Sequence, residues 1–131
     1  MSRRKGCAMT ISVFLIEDMQ PMRSALAELL GHSGDFKVVG TASTEAEANL
    51  WLQENAGKWD LVIVDLILEQ GTGMRVIGNA RKISPTAQIV VFSDFATPGI
   101  EAHCMKLGAD AVFDKSRGPN ELLGHCVSLL E

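Results

Sequence analysis

Two adjacent acids, Glu17 and Asp18, a lone Asp65, a serine, Ser93, and a lysine, Lys115, each stand where an apolar run stops. Carboxylates, a hydroxyl and an ammonium are the groups that hold a hard cation and handle a phosphoryl group, provided the fold lets them meet. The sharpest case is LVIVDLIL, residues 61 to 68, where Asp65 interrupts a run of branched aliphatic side chains. A buried, unpaired carboxylate costs several kcal/mol, so Asp65 must lie at an exposed end, be paired, or have chemical work. We read it as chemical work at an exposed end.

The elements that must position these residues follow from periodicity. Five apolar runs, 11 to 16, 36 to 42, 61 to 65, 88 to 93 and 110 to 114, are short, rich in β-branched residues and bounded by turn residues, which is the pattern of strands. Helical spacing recurs between them in Met22, Leu26, Leu29 and Leu30, then in Val76, Ile77, Ala80 and Ile83, then in Ile100, Cys104 and Leu107. Gly31, Gly57, Pro85 and Gly108 supply the stops. A last helix starts with Pro119 and stacks Leu122, Leu123, Cys126 and Leu130 on one side. Five strands alternating with five helices predict an α/β fold, a doubly wound parallel sheet with right-handed crossovers. Strands 1, 3 and 4 are nearly all apolar, as central strands should be, while strands 2 and 5 carry Lys37 and Asp114 and suit the edges. This fits a flavodoxin-like strand order, 2-1-3-4-5.

Ligands of such sheets bind beyond the carboxyl ends of the strands, next to the point where strand order reverses. Strand 1 ends in Glu17 and Asp18, strand 3 in Asp65, strand 4 in Ser93, and strand 5 in Asp114 followed by Lys115. Carboxylates gathered there repel by about 4 kcal/mol per pair at 4 Å and an effective dielectric of 20. Such a cluster needs a counter-ion, and oxygen-only ligands with room for water select a hard divalent cation, Mg²⁺. A carboxylate can also attack phosphorus and form an acyl phosphate.

FLIED closing strand 1, VIVDL closing strand 3, VVFS closing strand 4 and GADAVFDKS at strand 5 resemble the receiver domain of two-component response regulators, over residues 10 to 130. The resemblance implies Mg²⁺-dependent phosphotransfer from a histidine kinase or a histidine phosphotransfer protein to Asp65, followed by slow self-catalysed hydrolysis. It implies that Glu17, Asp18, Asp65 and the carbonyl of Ile67 hold the metal. Ser93 then matches the hydroxyl residue that turns toward the phosphoryl group, and Lys115 the lysine that pairs with its oxygens. Gly73 matches the glycine that opens helix 3.

The chain departs from the family pattern at three places. Val112 stands where the family usually has an aromatic switch residue, with Phe113 displaced to the opposite face of the strand. An aromatic flip coupled to Ser93 is therefore not expected. Ser116 follows Lys115 in place of the common proline, so that turn is expected to be built differently. LEQGTG lacks the usual proline after the phosphoacceptor, and this loop is expected to be more mobile than average.

The 131 residues suit one domain, 10–131, behind a short tail, 1–9. Twelve Lys plus Arg against sixteen Asp plus Glu give a net charge of −4 and a pI near 5.3, the wrong sign for direct contact with nucleic acid. The basic start lacks a cleavage site, and its apolar run is broken by Thr10 and Ser12, so it does not read as a signal peptide. Three cysteines, Cys7, Cys104 and Cys126, without a CxxC, fit free thiols in a reducing cytoplasm, and no stretch approaches the roughly 18 apolar residues of a spanning helix, so no membrane partner is expected.

Two His-Cys pairs, at 103–104 and 125–126, invite a zinc site, but neighbours on a helix diverge by about 100° and each pair chelates poorly. Buried thiols with His103 and His125 outward are expected instead, and Trp51 and Trp59 read as packing residues. Other functions compete. A flavodoxin-like electron carrier would need phosphate-binding Ser, Thr and Gly after strand 1, where EDMQP stands. An Asp-nucleophile phosphatase would want an acid where Ile67 stands. A receiver-like module that only binds or dimerises, without phosphorylation, is the main alternative. Output through protein contact or a homodimer, using helix 4, strand 5 and helix 5, is expected, whether the domain acts alone or was cut from a longer regulator.

Overall fold

The apolar runs and helical periods resolve into β1 (Ile11–Ile16), α1 (Gln20–Ser33), β2 (Phe36–Ala42), α2 (Glu45–Glu54), β3 (Leu61–Val64), α3 (Gly73–Ile83), β4 (Gln88–Ser93), α4 (Pro98–Leu107), β5 (Ala111–Asp114), a 3₁₀ turn (Lys115–Arg117) and α5 (Asn120–Ser128). The structure, a computed structural model, describes residues 10–131, so the expected tail and Cys7 lie outside the described residues. All strand pairs are parallel and the order is β2-β1-β3-β4-β5, as the distribution of polar residues among the strands implied.

The two-residue alternation of the strands splits the core between the faces of the sheet. Phe14, Ile16, Val62, Val64, Ile89 and Val91 pack against α2, α3 and α4 through Leu52, Ile77 and Cys104. Val13, Leu15, Leu61, Ile63, Val90 and Phe92 pack against α1 and α5 through Leu26, Leu30, Leu122 and Cys126. Each large side chain buried this way contributes about 1.5–3 kcal/mol. Trp51 and Trp59 are packing residues: Trp51 stacks on Phe14 with ring centroids 4.0 Å apart, and Trp59 is buried in the same cluster. A Cβ at Gly40 would come within 2.5 Å of the Trp51 ring, so β2 needs a glycine where that ring crosses it.

Several boundaries differ from the sequence reading. Strand β3 ends at Val64, one residue before Asp65, although the Asp65 N–H still donates to the Ile16 carbonyl at 2.9 Å. Helix α1 runs through Gly31 to Ser33, because nothing in the turn forces a stop and Leu30 is fully buried. An interior glycine costs only about 1 kcal/mol. Pro119 caps α5 rather than opening it. At the far side, Arg81 of α3 donates to the Gly108 carbonyl and pairs with Asp110 at 2.7 Å, whose carboxylate also accepts the Ile89 N–H. This clamp fixes the start of β5, and with it the strand that delivers Lys115. No helix among the described residues is long and apolar enough to cross a membrane.

Candidate functional site

Register brings the strand ends together. Ile16 lies level with Val64, and Ser93 level with Asp114, so Glu17, Asp65 and Lys115 each sit one residue past a paired position. By the two-residue alternation these three fall on the side of the sheet that carries α1 and α5. Lys115 Nζ lies 2.7 Å from Glu17 Oε1 and 2.8 Å from Asp65 Oδ2, bridging both acids. The pairs are desolvated: Glu17 is 3% exposed and Asp65 7%. Asp18, half-buried, offers a third carboxylate, and ligand atoms of Glu17, Asp18 and Asp65 lie within 4.8 Å of one another.

Three oxygen donors at this separation suit a hard divalent cation. Ile67 stands beside them, its N–H donating to Asp65 Oδ1 at 3.3 Å. Burial pushes the Glu17 carboxyl above its ordinary 4.5, an effect that Lys115 and the Met19 N–H offset in part. Burial pulls the Lys115 ammonium down, but hydrogen bonds to Asp65 and Glu17 outweigh it and leave the group above 10.5.

Asp18, Asp65 and Lys115 line an open cavity of about 280 Å³, with Asp94 beside them and with Met19, Ile67 and Phe95 on its rim. The three rim residues are each more than half exposed. Ser93 is the site residue that the fold does not bring into contact: it is fully buried, and its Oγ accepts the Phe95 N–H at 3.3 Å. Among the described residues no hydrogen bond links Ser93 to Asp65 or Lys115.

The three departures have distinct outcomes. Val112 packs with the α4-side cluster and Phe113 with the α5-side cluster, as alternation requires. His125 is not turned outward as expected. It is half-buried, its ring 5.6 Å from that of Phe113 and its Nε2 3.3 Å from Gln88 Oε1, because the strand-5 aromatic falls on the face of α5. After Lys115 the chain forms the 3₁₀ turn, capped by Asp114, whose Oδ1 accepts both the N–H and the hydroxyl of Ser116. Asp114 therefore serves the turn and not the acid cluster. The loop after Asp65, which lacks the usual proline, carries three hydrogen bonds: Thr72 N–H donates to Glu45 Oε1, Glu45 N–H to the Gln70 carbonyl, and Gly73 N–H to the Leu66 carbonyl. A Cβ at Gly73 would lie 2.1 Å from the Asp65 carbonyl oxygen, so helix α3 can approach Asp65 this closely only with glycine there.

The zinc arrangement does not assemble, because Cys104 and Cys126 are buried on opposite faces of the sheet. Among the described residues the group able to hold a metal is Glu17, Asp18 and Asp65. Sequence reasoning missed Arg23, whose guanidinium donates to the Glu17 carbonyl at 2.7 Å and to Ser43 Oγ at 3.1 Å. Its only signal is a cation one turn into the helix that follows two acids. Met19 and Phe95 were also missed, since a single exposed apolar residue leaves no pattern in a sequence.

A family profile described as the response regulator receiver domain matches residues 13–126. The nitrate/nitrite response regulator protein NarL of Escherichia coli K12 is 30% identical over 112 residues, which cover 86% of this chain and 51% of that protein. The chain spans about half the length of the curated relatives it matches. In fold it is similar to a two-component response regulator of the LuxR family from Aurantimonas sp. SI85-9A1, with a TM-score of 0.83 at 24% identity, covering 93% of this chain and 86% of that one. A response regulator from Burkholderia pseudomallei, solved with a phosphorylated aspartic acid, calcium ion and citrate, has a TM-score of 0.76 at 25% identity, covering 87% of this chain and 65% of that one. Because the profile runs from β1 into α5 and spans every element between them, the chain belongs to the response regulator receiver domain family.

Proposed function

We propose that the chain is a phosphoacceptor module that takes a phosphoryl group onto Asp65 from a histidine kinase or a histidine phosphotransfer protein. One observation carries the reading: a nearly buried Asp65 carboxylate at a strand end is held 2.8 Å from an ammonium, with two further acids within reach of one cation. In the step, an Asp65 oxygen forms a bond to phosphorus while the P–N bond to the donor imidazole breaks. The electron pair returns to the ring nitrogen, which takes a proton from solvent. Lys115 leaves Glu17 and follows the incoming phosphoryl oxygens, and Ser93 turns its hydroxyl toward them. The carboxylates of Glu17, Asp18 and Asp65, with the Ile67 carbonyl, would hold Mg²⁺, which when bound supplies charge neutralisation at the phosphoryl oxygens. Slow hydrolysis of the acyl phosphate returns the site to its starting state.

Output runs through protein contact or a homodimer on the surface of α4, β5 and α5, which Ser93 and Lys115 adjoin in sequence. With Val112 in place of an aromatic, the coupling from Ser93 passes through the β4–α4 loop, where the Phe95 N–H already binds its hydroxyl. The activities of the longer relatives, including transcriptional control, belong to those proteins. The free, buried thiols of Cys104 and Cys126 fit a cytoplasmic setting. The test is incubation with a small phosphodonor such as acetyl phosphate, with and without Mg²⁺, followed by intact mass. One added phosphoryl group that needs Mg²⁺ is expected, and a chain that takes up none under either condition contradicts the reading.

A further inference from the structure

Glu17 and Asp18 sit in the turn that joins β1 to α1, and helix α1 gives that turn no capping side chain. Besides the main-chain bond from the Glu17 N–H to the Ala42 carbonyl at 2.9 Å, two side-chain contacts hold it. In one, Glu17 Oε2 accepts the Met19 N–H at 3.1 Å. In the other, Arg23 reaches back from the first turn of α1, donating to the Glu17 carbonyl at 2.7 Å and to Ser43 Oγ at 3.1 Å. Ser43 is a firm post, because its own N–H is bonded to Glu47 Oε1 and its carbonyl accepts the Glu69 N–H. The two contacts make different demands on Glu17. The first occupies a carboxylate that a cation would also claim, and the partner of its other oxygen is Lys115. The second uses only the main chain and survives any rearrangement of the carboxylate.

We propose that Arg23 is the positioning residue of the cation site: its guanidinium fixes the Glu17–Asp18 main chain, so that the turn keeps its place while the Glu17 carboxylate exchanges Lys115 and the Met19 N–H for a divalent cation. The inference rests on the reading of the site as a cation and phosphoryl site, and it adds a residue to which nothing above gives a role in the chemistry. Two effects of the guanidinium oppose each other. Its positive charge near a cation site repels the cation, so on electrostatics alone its removal tightens Mg²⁺ binding. Its hydrogen bonds order the ligand-bearing turn, and loss of a residue that orients metal ligands typically weakens metal affinity about 10- to 100-fold. A short, charge-assisted hydrogen bond to the carbonyl of the buried Glu17 belongs among the strong ones, so ordering wins.

The test is calorimetric titration of Mg²⁺ into the full chain and into Arg23→Gln, Arg23→Lys and Ser43→Ala, with melting in chelator as the control for folding. Arg23→Gln should weaken Mg²⁺ binding about tenfold. Arg23→Lys, which keeps the charge and one donor group, should recover part of the affinity, and Ser43→Ala should lose less than Arg23→Gln. With acetyl phosphate as donor, the phosphorylation rate of Arg23→Gln should fall at limiting Mg²⁺ and return to the wild-type value at saturation. An Arg23→Gln chain that binds Mg²⁺ as tightly as wild type, or tighter, overturns the inference. So does a rate that stays low at saturation, which would make Arg23 a general structural support. Should Arg23→Gln fail to fold, Arg23→Lys and Ser43→Ala carry the test, and wild-type affinity in both overturns the inference. A wild-type chain that binds no Mg²⁺ overturns the proposed function and this inference together, whereas failure in the variants alone leaves the proposed function standing.

Discussion

Lys115 Nζ and Asp65 Oδ2, fifty residues apart in the chain, meet at 2.8 Å, and the same ammonium reaches Glu17 at 2.7 Å. One ammonium is thus shared by two desolvated acids and offsets one of their two charges, while Asp18 forms no ion pair among the described residues. The fold thereby tolerates an acid cluster, and the surroundings of the three acids differ. Glu17 and Asp65 depend on Lys115, and Asp18 does not.

Lys115→Ala should therefore destabilise the metal-free chain by about 3 kcal/mol, since removing one partner of a buried ion pair leaves uncompensated charge. Mg²⁺ should then raise the melting temperature of the variant more than that of wild type, because no ammonium competes for the acids. The change that follows phosphorylation should be lost. Melting in chelator and in excess Mg²⁺ checks this, and a variant as stable as wild type in chelator would show that the bridge carries no stability.

Asp18→Ala should act in the opposite direction. Deleting the acid that Lys115 does not reach relieves repulsion, worth about 1 kcal/mol at a half-exposed position, so the metal-free variant should melt higher than wild type. It should also lose its response to Mg²⁺, which in wild type adds roughly 2.7 kcal/mol at a hundredfold excess over the dissociation constant. A variant less stable than wild type in chelator would make Asp18 a structural cap, and undiminished stabilisation by Mg²⁺ would place the metal elsewhere.

Stability should fall on the alkaline side. Burial pushes the Cys126 thiol from 9.0 up to about 12, so between those values the unfolded chain has released a proton that the folded chain keeps. Its contribution is complete below pH 9 and is lost as pH rises through the folded value, at roughly 1.4 kcal/mol per unit. Lys115 has the same sign, complete below 10.5 and lost as pH rises through its raised folded value. Denaturant titrations at one pH below 9 and one between 9 and 10.5 should show the fall, with a shallower slope in Cys126→Ala. A slope in Cys126→Ala equal to that of wild type would contradict the assignment.

How far the sequence reaches is clearest at individual residues. Asp65 was legible in part: an acid inside an aliphatic run must be exposed, paired or at work, and the exposed end that the sequence suggested is in the structure a buried carboxylate, 7% exposed and paired with Lys115. The strand order followed from where Lys37 and Asp114 interrupt the apolar pattern. The second partner of Lys115 was not legible, since it depends on three strand ends coming level, and register is set by the whole sheet. Nor was Arg23 legible, because a helical arginine usually faces water, and its role here is to bond a main-chain carbonyl, a group that every residue has. His125 went astray for a related reason: its orientation follows Phe113, whose face depends on where β5 begins.

The proposed phosphotransfer depends on Asp65 as the acceptor. Borohydride reduces an aspartyl phosphate and leaves a carboxylate untouched, so reduction after incubation with acetyl phosphate and Mg²⁺, followed by peptide mass mapping, locates the phosphoryl group. The expected result is one modified residue, Asp65, in wild type, and no modification in an Asp65→Asn chain that remains folded. Modification at Glu17 or Asp18, or labelling of Asp65→Asn at the wild-type rate, would contradict the account.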